Sequence, residues 1–497
     1  MIRELCWTIR AHRRIDRAFP RRFVLVTTVE LRKPSCGEPL AEIVHANWQP
    51  SVMSSDDGGD SIVPNRVEQR SQSVQNLNRI DDTESALLVV GTVAYIWAAS
   101  SLPDASIAGY LRWAIVAALA MRTLGTLLAR HSISRLPPAM FVLSIFCIYA
   151  LASAFMSSDA VVSVIRSSVF GIMILVTAIR CAWLDNIVLQ KWIRWLGYIN
   201  LGSVCIAWMQ IFSGAGHPYV GAGLAAFMGN PNDFGSLMAF TFGPAVFLAA
   251  QRPPHSSLGR RVCYWAVAAS DCIFVVMTHS RTSIVALVFG ACAILALVPP
   301  NSRRRVIAAI GIGVTATAVI IGTKLTAGIY QLTYKGGVPN LLSSRVQSLS
   351  VTYQSFRKSP IIGSGFGVLS TPGGTGMQGH LSQLFHSAGI EQSNSMLGIG
   401  ADLGVLGISL MLLALVLIAQ SALQLRSLVR MHALPSEVRA TIALVVVGMV
   451  HMNGEAWLVA PGAYQAWIFW VGCGFLCGSA VRSRSRSHRV VSTGSGR

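Results

Sequence analysis

A lone arginine stands in the stretch Thr278-His279-Ser280-Arg281-Thr282-Ser283, at a junction between two apolar runs. A guanidinium flanked by hydroxyls at the start of a helix suits phosphate oxygens, which take paired N–H donors and the positive end of the helix dipole. The same residues also read as a helix cap whose arginine reaches lipid headgroups. Arg345 begins a second candidate site, with Arg357 and Lys358 a few turns on. Arg281 and Arg345 together would suit an anionic diphosphate held at a membrane surface, whereas Arg357 and Lys358 read better as headgroup anchors. Glu391 and Asn394, in EQSNSMLG, directly precede another apolar run. A carboxylate there can accept a proton from an attacking hydroxyl, and the amide can orient a sugar. His386, five residues before Glu391, is an alternative base that titrates nearer neutral pH. A helix start alone also accounts for an acid and an asparagine at these places.

Other polar residues read more simply. In GNPNDFG, Gly229 to Gly235, Asn232 or Asp233 can cap a helix that Pro231 keeps from extending backward. Asp271, Arg166 and Asp402 fall inside apolar runs, where pairing between helices is the expected role. No nucleophile elbow, zinc-protease, Walker or dinucleotide-binding pattern occurs in a strand–helix context. Nor is there an acidic motif of the kind that holds magnesium and a nucleotide sugar. Ten cysteines are spread singly without a CxxC pair, which speaks against a disulfide framework and a zinc site. The residues call for no cofactor and no metal.

The elements that must hold these residues are set by composition. Of 497 residues, 53% are hydrophobic and 12% charged, against roughly 25% charged in a soluble domain. The apolar residues lie in blocks near bilayer length, and in lipid the backbone of each block must satisfy its own hydrogen bonds as a helix. The net charge of +19 is not a nucleic-acid signature, because twelve of the forty Lys and Arg lie in residues 1–85 and most others in short loops.

The expected fold is therefore all-α and integral to the membrane, with about 12 transmembrane helices. The predicted spans are 86–102, 107–128, 137–156, 160–179, 194–213, 232–250, 262–279, 282–298, 306–326, 395–420, 438–453 and 461–481. Residues 1–85 read as a basic, disordered cytoplasmic segment, 86–481 as the membrane domain and 482–497 as a basic cytoplasmic tail. Translation from Met53 is an alternative start. With both ends inside, the loops 129–136, 180–193, 251–261, 299–305 and 421–437 each carry at least two Lys or Arg, and the opposite short loops carry only Arg281. One large outer loop, 327–394, separates spans nine and ten. Within it Val346, Leu349, Tyr353 and Phe356 recur at helical spacing, as in an amphipathic helix lying on the membrane surface, and Gly363, Gly365 and Gly367 follow as a flexible turn. No broken helix or internal repeat is evident.

The order of these features resembles the O-antigen ligase and O-antigen polymerase family: SRTS at an outer helix junction, then SSRVQ, a loop helix, SPIIGSGFGVLS and NSMLGIGADLGVLGIS. GNPNDFG resembles an upstream segment of the same family, so the likeness covers about 229–415. It implies glycan transfer without a metal on the outer face of a bacterial inner membrane, from a donor carried on undecaprenyl diphosphate. It further implies that Arg281 and Arg345 bind the diphosphate and that a residue before the late span deprotonates the acceptor. Ligases of the family typically have His-Asn there, whereas this chain has Ser393-Asn394. That departure passes the base to Glu391 or His386, or changes the acceptor chemistry, and leans the reading toward a polymerase-like or other exopolysaccharide enzyme. The implied partners are the lipid-linked donor, a glycan or lipid acceptor, membrane lipids and a chain-length regulator, with no nucleic acid. The rival class is a flippase for the same lipid-linked glycan.

Overall fold

The protein is described from a computed structural model, which covers residues 82–130, 136–157, 159–214, 218–220, 223–250, 258–298, 303–311, 315, 343–368, 394–430 and 434–494. The segment expected to be disordered, 1–85, lies outside these residues except for its last four.

The chain runs through α1 (82–98) and α2 (Ala105–Arg130), then α3 (Pro138–Ala152), which ends in a 3-10 turn over Ser153–Met156. Next come α4 (Ala160–Trp183), with a π-helical turn at Leu175–Ile179, and α5 (Asn186–Ser213). A two-residue hairpin, β1 (Tyr219–Val220) against β2 (Gly223–Leu224), pairs Tyr219 with Leu224 ahead of α6 (Pro231–Ala250). Then follow α7 (Leu258–Met277), α8 (Arg281–Leu297), α9 (303–311), α10 (Ser343–Lys358), α11 (Ser395–Arg430), α12 (Ser436–His451) and α13 (Tyr464–Gly494).

Among the described residues, seven helices are long and apolar enough to cross a bilayer: α2, α3, α4, α5, α6, α11 and α13. The chain is thus a multi-pass, all-α membrane protein. The shorter α8 is apolar as well. Physical reasons separate the rest from the seven. The first turn of α7 carries Arg260 and Arg261 and its body Asp271, while α12 has only 16 residues and opens with Glu437 and Arg439.

α6 and α13 form the centre of the bundle, where Phe234, Phe240, Phe242, Trp467 and Trp470 are fully buried. Helices outside that centre leave large apolar side chains exposed, such as Ile148 on α3 and Phe289 on α8. That is the inverse of a soluble surface and suits lipid contact. Buried indoles find partners: Thr92 Oγ1 accepts from Trp192 Nε1 at 3.2 Å and from Trp467 Nε1 at 3.1 Å. Asp271 pairs across helices as expected, accepting from Asn200 Nδ2 at 2.8 Å. Arg166 on α4 and Asp402 on α11 likewise interact electrostatically.

The stretch after α10 differs from its expectation. Gly363, Gly365 and Gly367 lie in a turn, as expected, but that turn is a wedge packed into a break in α11 at Gly404 (φ 64°, ψ −165°). The break releases backbone groups that lipid could not satisfy, and the wedge takes them up. Val405 and Leu406 N–H donate to the carbonyls of Pro360 and Ile361. The carbonyls of Ala401 and Asp402 accept from Ser364 N–H at 3.1 Å and Gly365 N–H at 2.9 Å, and Leu403 O accepts from the Tyr149 hydroxyl at 3.1 Å. The Asp402 carboxylate accepts from Gly367 N–H at 2.9 Å. A Cβ at Gly363 would lie 2.2 Å from the Asp402 carbonyl, so only glycine lets the strands of chain close. The break itself was not legible in the sequence.

Candidate functional site at the heads of four helices

The amino ends of α6, α8, α11 and α13 lie at one end of the bundle, linked through side chains and through the loop after α12. α6 begins at Pro231, and Asn230 caps it by accepting from Asn232 N–H at 3.0 Å. The cap is thus two residues before Asn232 and three before Asp233, which leaves Asp233 for another task. Asp233 Oδ1 accepts from Gln465 Nε2 at 2.9 Å and its carbonyl accepts from the Tyr464 hydroxyl, tying α6 to the head of α13. Ser236 adds a second tie, accepting from Gln465 Nε2 at 3.1 Å.

α6 and α8 touch at Gly235, where a Cβ would fall 2.8 Å from Thr278 Oγ1 and 3.0 Å from Ser283 Oγ. The turn into α8 places His279 at a positive φ of 53° and Arg281 at the first helical position, half-buried. Ser280 occupies the N-cap position, yet its side chain caps nothing. Its hydroxyl is hydrogen-bonded to that of Ser283 at 2.9 Å, and Ser283 in turn to His451 Nε2 at 3.3 Å.

α11 starts beside them. Asn394 caps it, accepting from Leu397 N–H at 2.9 Å, while its Nδ2 donates to Asn453 O at 2.8 Å. Ser395 donates from its hydroxyl to Glu455 O at 2.7 Å and from its N–H to Met452 O. The loop 452–463 between α12 and α13 therefore bridges α8 and α11. Both side-chain groups of Asn394 are engaged in holding the helix start. Asn394→Ala should cost about 1 kcal/mol of stability through the cap alone, measured as a shift in thermal unfolding of the detergent-solubilised chain. Asn394→Ser, which keeps an acceptor at the cap, should recover most of it.

Helix amino ends carry about half a positive charge each; Arg281 stands at one of them, and Asp233 and Glu455 lie at the same end. Arg345 lies in the first turn of α10. α10 sits along α11, with Thr352 buried and Phe356 3.3 Å from where a Cβ on Gly400 would be, while Val346 and Tyr353 stay exposed. The expected apolar face is thus split between α11 and the outside. Glu391 and His386 lie outside the described residues.

Several residues at this end carried no signal in the sequence. His451, Glu455, Trp457 and Gln465 sit in or beside a loop after α12, without a motif, and only the fold brings them to Ser280 and Asn394. A histidine and a tryptophan at the end of an apolar run were the available hint.

Fold and site together define a multi-pass α-helical membrane protein with a cluster of polar side chains at one end of its bundle. Residues 265–412 match the family model described as O-antigen ligase, so the likeness read from the motifs is upheld over that stretch. The match takes in Arg281, Arg345 and Asn394 and ends just after the break in α11. No curated protein matches the chain.

Proposed function

We propose that the protein is a glycan transferase of the O-antigen ligase or polymerase type. In this reading it crosses a bacterial inner membrane twelve times with both ends cytoplasmic, and the four helix heads face the periplasm. The donor is an oligosaccharide on undecaprenyl diphosphate. An acceptor hydroxyl attacks the anomeric carbon, the bond from that carbon to the phosphate oxygen breaks, and undecaprenyl diphosphate leaves. The proton of the hydroxyl goes to a base just before α11, Glu391 or His386. Arg281 and Arg345 hold the diphosphate and stabilise the charge on the leaving group, work that two guanidiniums can do without a metal.

The observation that carries the reading is Arg281 at the head of α8, inside the stretch matched by the family and linked to the head of α11 through the loop after α12. The break in α11 does not favour transport, because the groups named above at the break are satisfied by the chain rather than turned to a substrate path.

The test is complementation of a null strain, with glycans and lipid-linked intermediates separated on gels. Loss of polymer with single-repeat intermediates retained outside assigns a polymerase for exopolysaccharide, capsule or O-antigen. Full-length chains stranded on undecaprenyl diphosphate assign a ligase. Precursor confined to the cytoplasmic leaflet in the null strain would overturn both in favour of a flippase.

A further inference from the structure

We propose that His451 is a positioning residue for the donor diphosphate, acting on the head of α8 through Ser283 and Ser280. The proposal rests on the reading of Arg281 as a diphosphate ligand. His451 is buried at the last residue of α12, between the rings of Phe240 and Trp457. Trp457 Nε1 donates to His451 Nδ1 at 2.8 Å. An indole nitrogen can only donate, so Nδ1 must be the bare nitrogen and the imidazole proton sits on Nε2. From there it is directed at Ser283 Oγ, 3.3 Å away, and the Ser283 hydroxyl is left to donate to Ser280 Oγ at 2.9 Å.

This relay has a consequence at α8. Serine at an N-cap ordinarily turns its hydroxyl onto the N–H groups of the first turn and satisfies them. Ser280 does not, because its hydroxyl is held by Ser283. The relay therefore keeps a competing acceptor off the first turn of α8, next to Arg281. It also fixes the position of that turn relative to α11, since the loop that directly follows His451 holds Ser395 through Glu455 O and Met452 O. Gly454 makes the approach possible: a Cβ there would lie 2.3 Å from Thr282 Oγ1.

The experiment uses the full chain in detergent and measures binding of undecaprenyl diphosphate, so that turnover is not needed. His451→Phe keeps the aromatic packing and removes both hydrogen bonds. It should weaken binding about five- to tenfold, the equivalent of a competing side-chain cap. Ser283→Ala, which cuts the relay at its middle link with little change in packing, should weaken it by a similar factor. Adding Ser280→Ala to His451→Phe removes the competing hydroxyl and should return binding to within about twofold of wild type. A residue that merely supports the fold would not be rescued by trimming a serine. If the double variant binds no better than His451→Phe, or if His451→Phe binds like wild type, the positioning role is overturned. Arg281→Ala is measured alongside: its loss of binding upholds the donor site whatever His451 does. Unchanged binding by that variant would instead overturn the donor site itself.

Discussion

Arg281→Ala should lower the rate of glycan transfer by two to three orders of magnitude, roughly the loss seen when one preorganised donor to a developing negative charge is removed. The side chain stands at the first position of α8, where alanine is well tolerated by the helix, so the folded protein should accumulate normally. Loss of function then reflects the missing guanidinium and not a missing helix. Arg281→Lys should recover only part of the rate, because an ammonium keeps the charge but loses the planar pair of donors that spans two phosphate oxygens. The measurement is transfer from purified lipid-linked oligosaccharide, at matched protein levels, with accumulation of the donor in cells as a second readout. Activity within a few-fold of wild type in Arg281→Ala would place the diphosphate elsewhere.

Gly404→Ala should prevent stable assembly. The position combines a positive φ of 64° with a ψ of −165°, a conformation open essentially to glycine alone. A Cβ there would also sit 2.2 Å from the carbonyl carbon and oxygen of Ile361, which are backbone atoms and cannot turn aside. Backbone strain costs of order 1–3 kcal/mol, and displacing the wedge would expose the released groups of α11 as well, so a loss of more than about 3 kcal/mol is expected. Gly202→Ala provides the control: Gly202 lies within α5 and a Cβ there meets nothing within 4 Å. That change should be neutral or stabilising by up to about 1 kcal/mol. Thermal unfolding in detergent and size-exclusion profiles of the two variants make the comparison. Wild-type stability in Gly404→Ala would mean that α11 is continuous in the functional protein.

The two substitutions mark the reach of the sequence. Apolar runs of bilayer length made the helices and the membrane legible, because lipid leaves the backbone no other choice. The helix junction at Arg281 was legible as well, and a cation there stands out from the charge pattern of the loops around it. The wedge was not. GSGFG and GADLG each read as ordinary glycine-rich sequence, and nothing local says that one fills a break in the other across dozens of residues. Asn230 took the cap expected of Asn232 or Asp233 because three neighbouring residues could serve, and the pull of Gln465 on Asp233 is tertiary. His451 was silent on the same grounds, since Ser283 meets it only after α8 and α12 pack together and Trp457 only once the chain turns back after α12.

The wedge also bears on how the protein is made. An isolated α11 in lipid has no source for the partners of Val405 and Leu406 N–H or of the Ala401 and Asp402 carbonyls, so it should enter the bilayer as an unbroken helix. The residues that open it, 359–368, lie upstream and leave the ribosome first. Insertion and breaking are then separate events, and the second waits for the first. The order of synthesis supplies the docking segment before the helix that it must open, and late assembly of this one joint brings α10, with Arg345 in its first turn, to rest along α11.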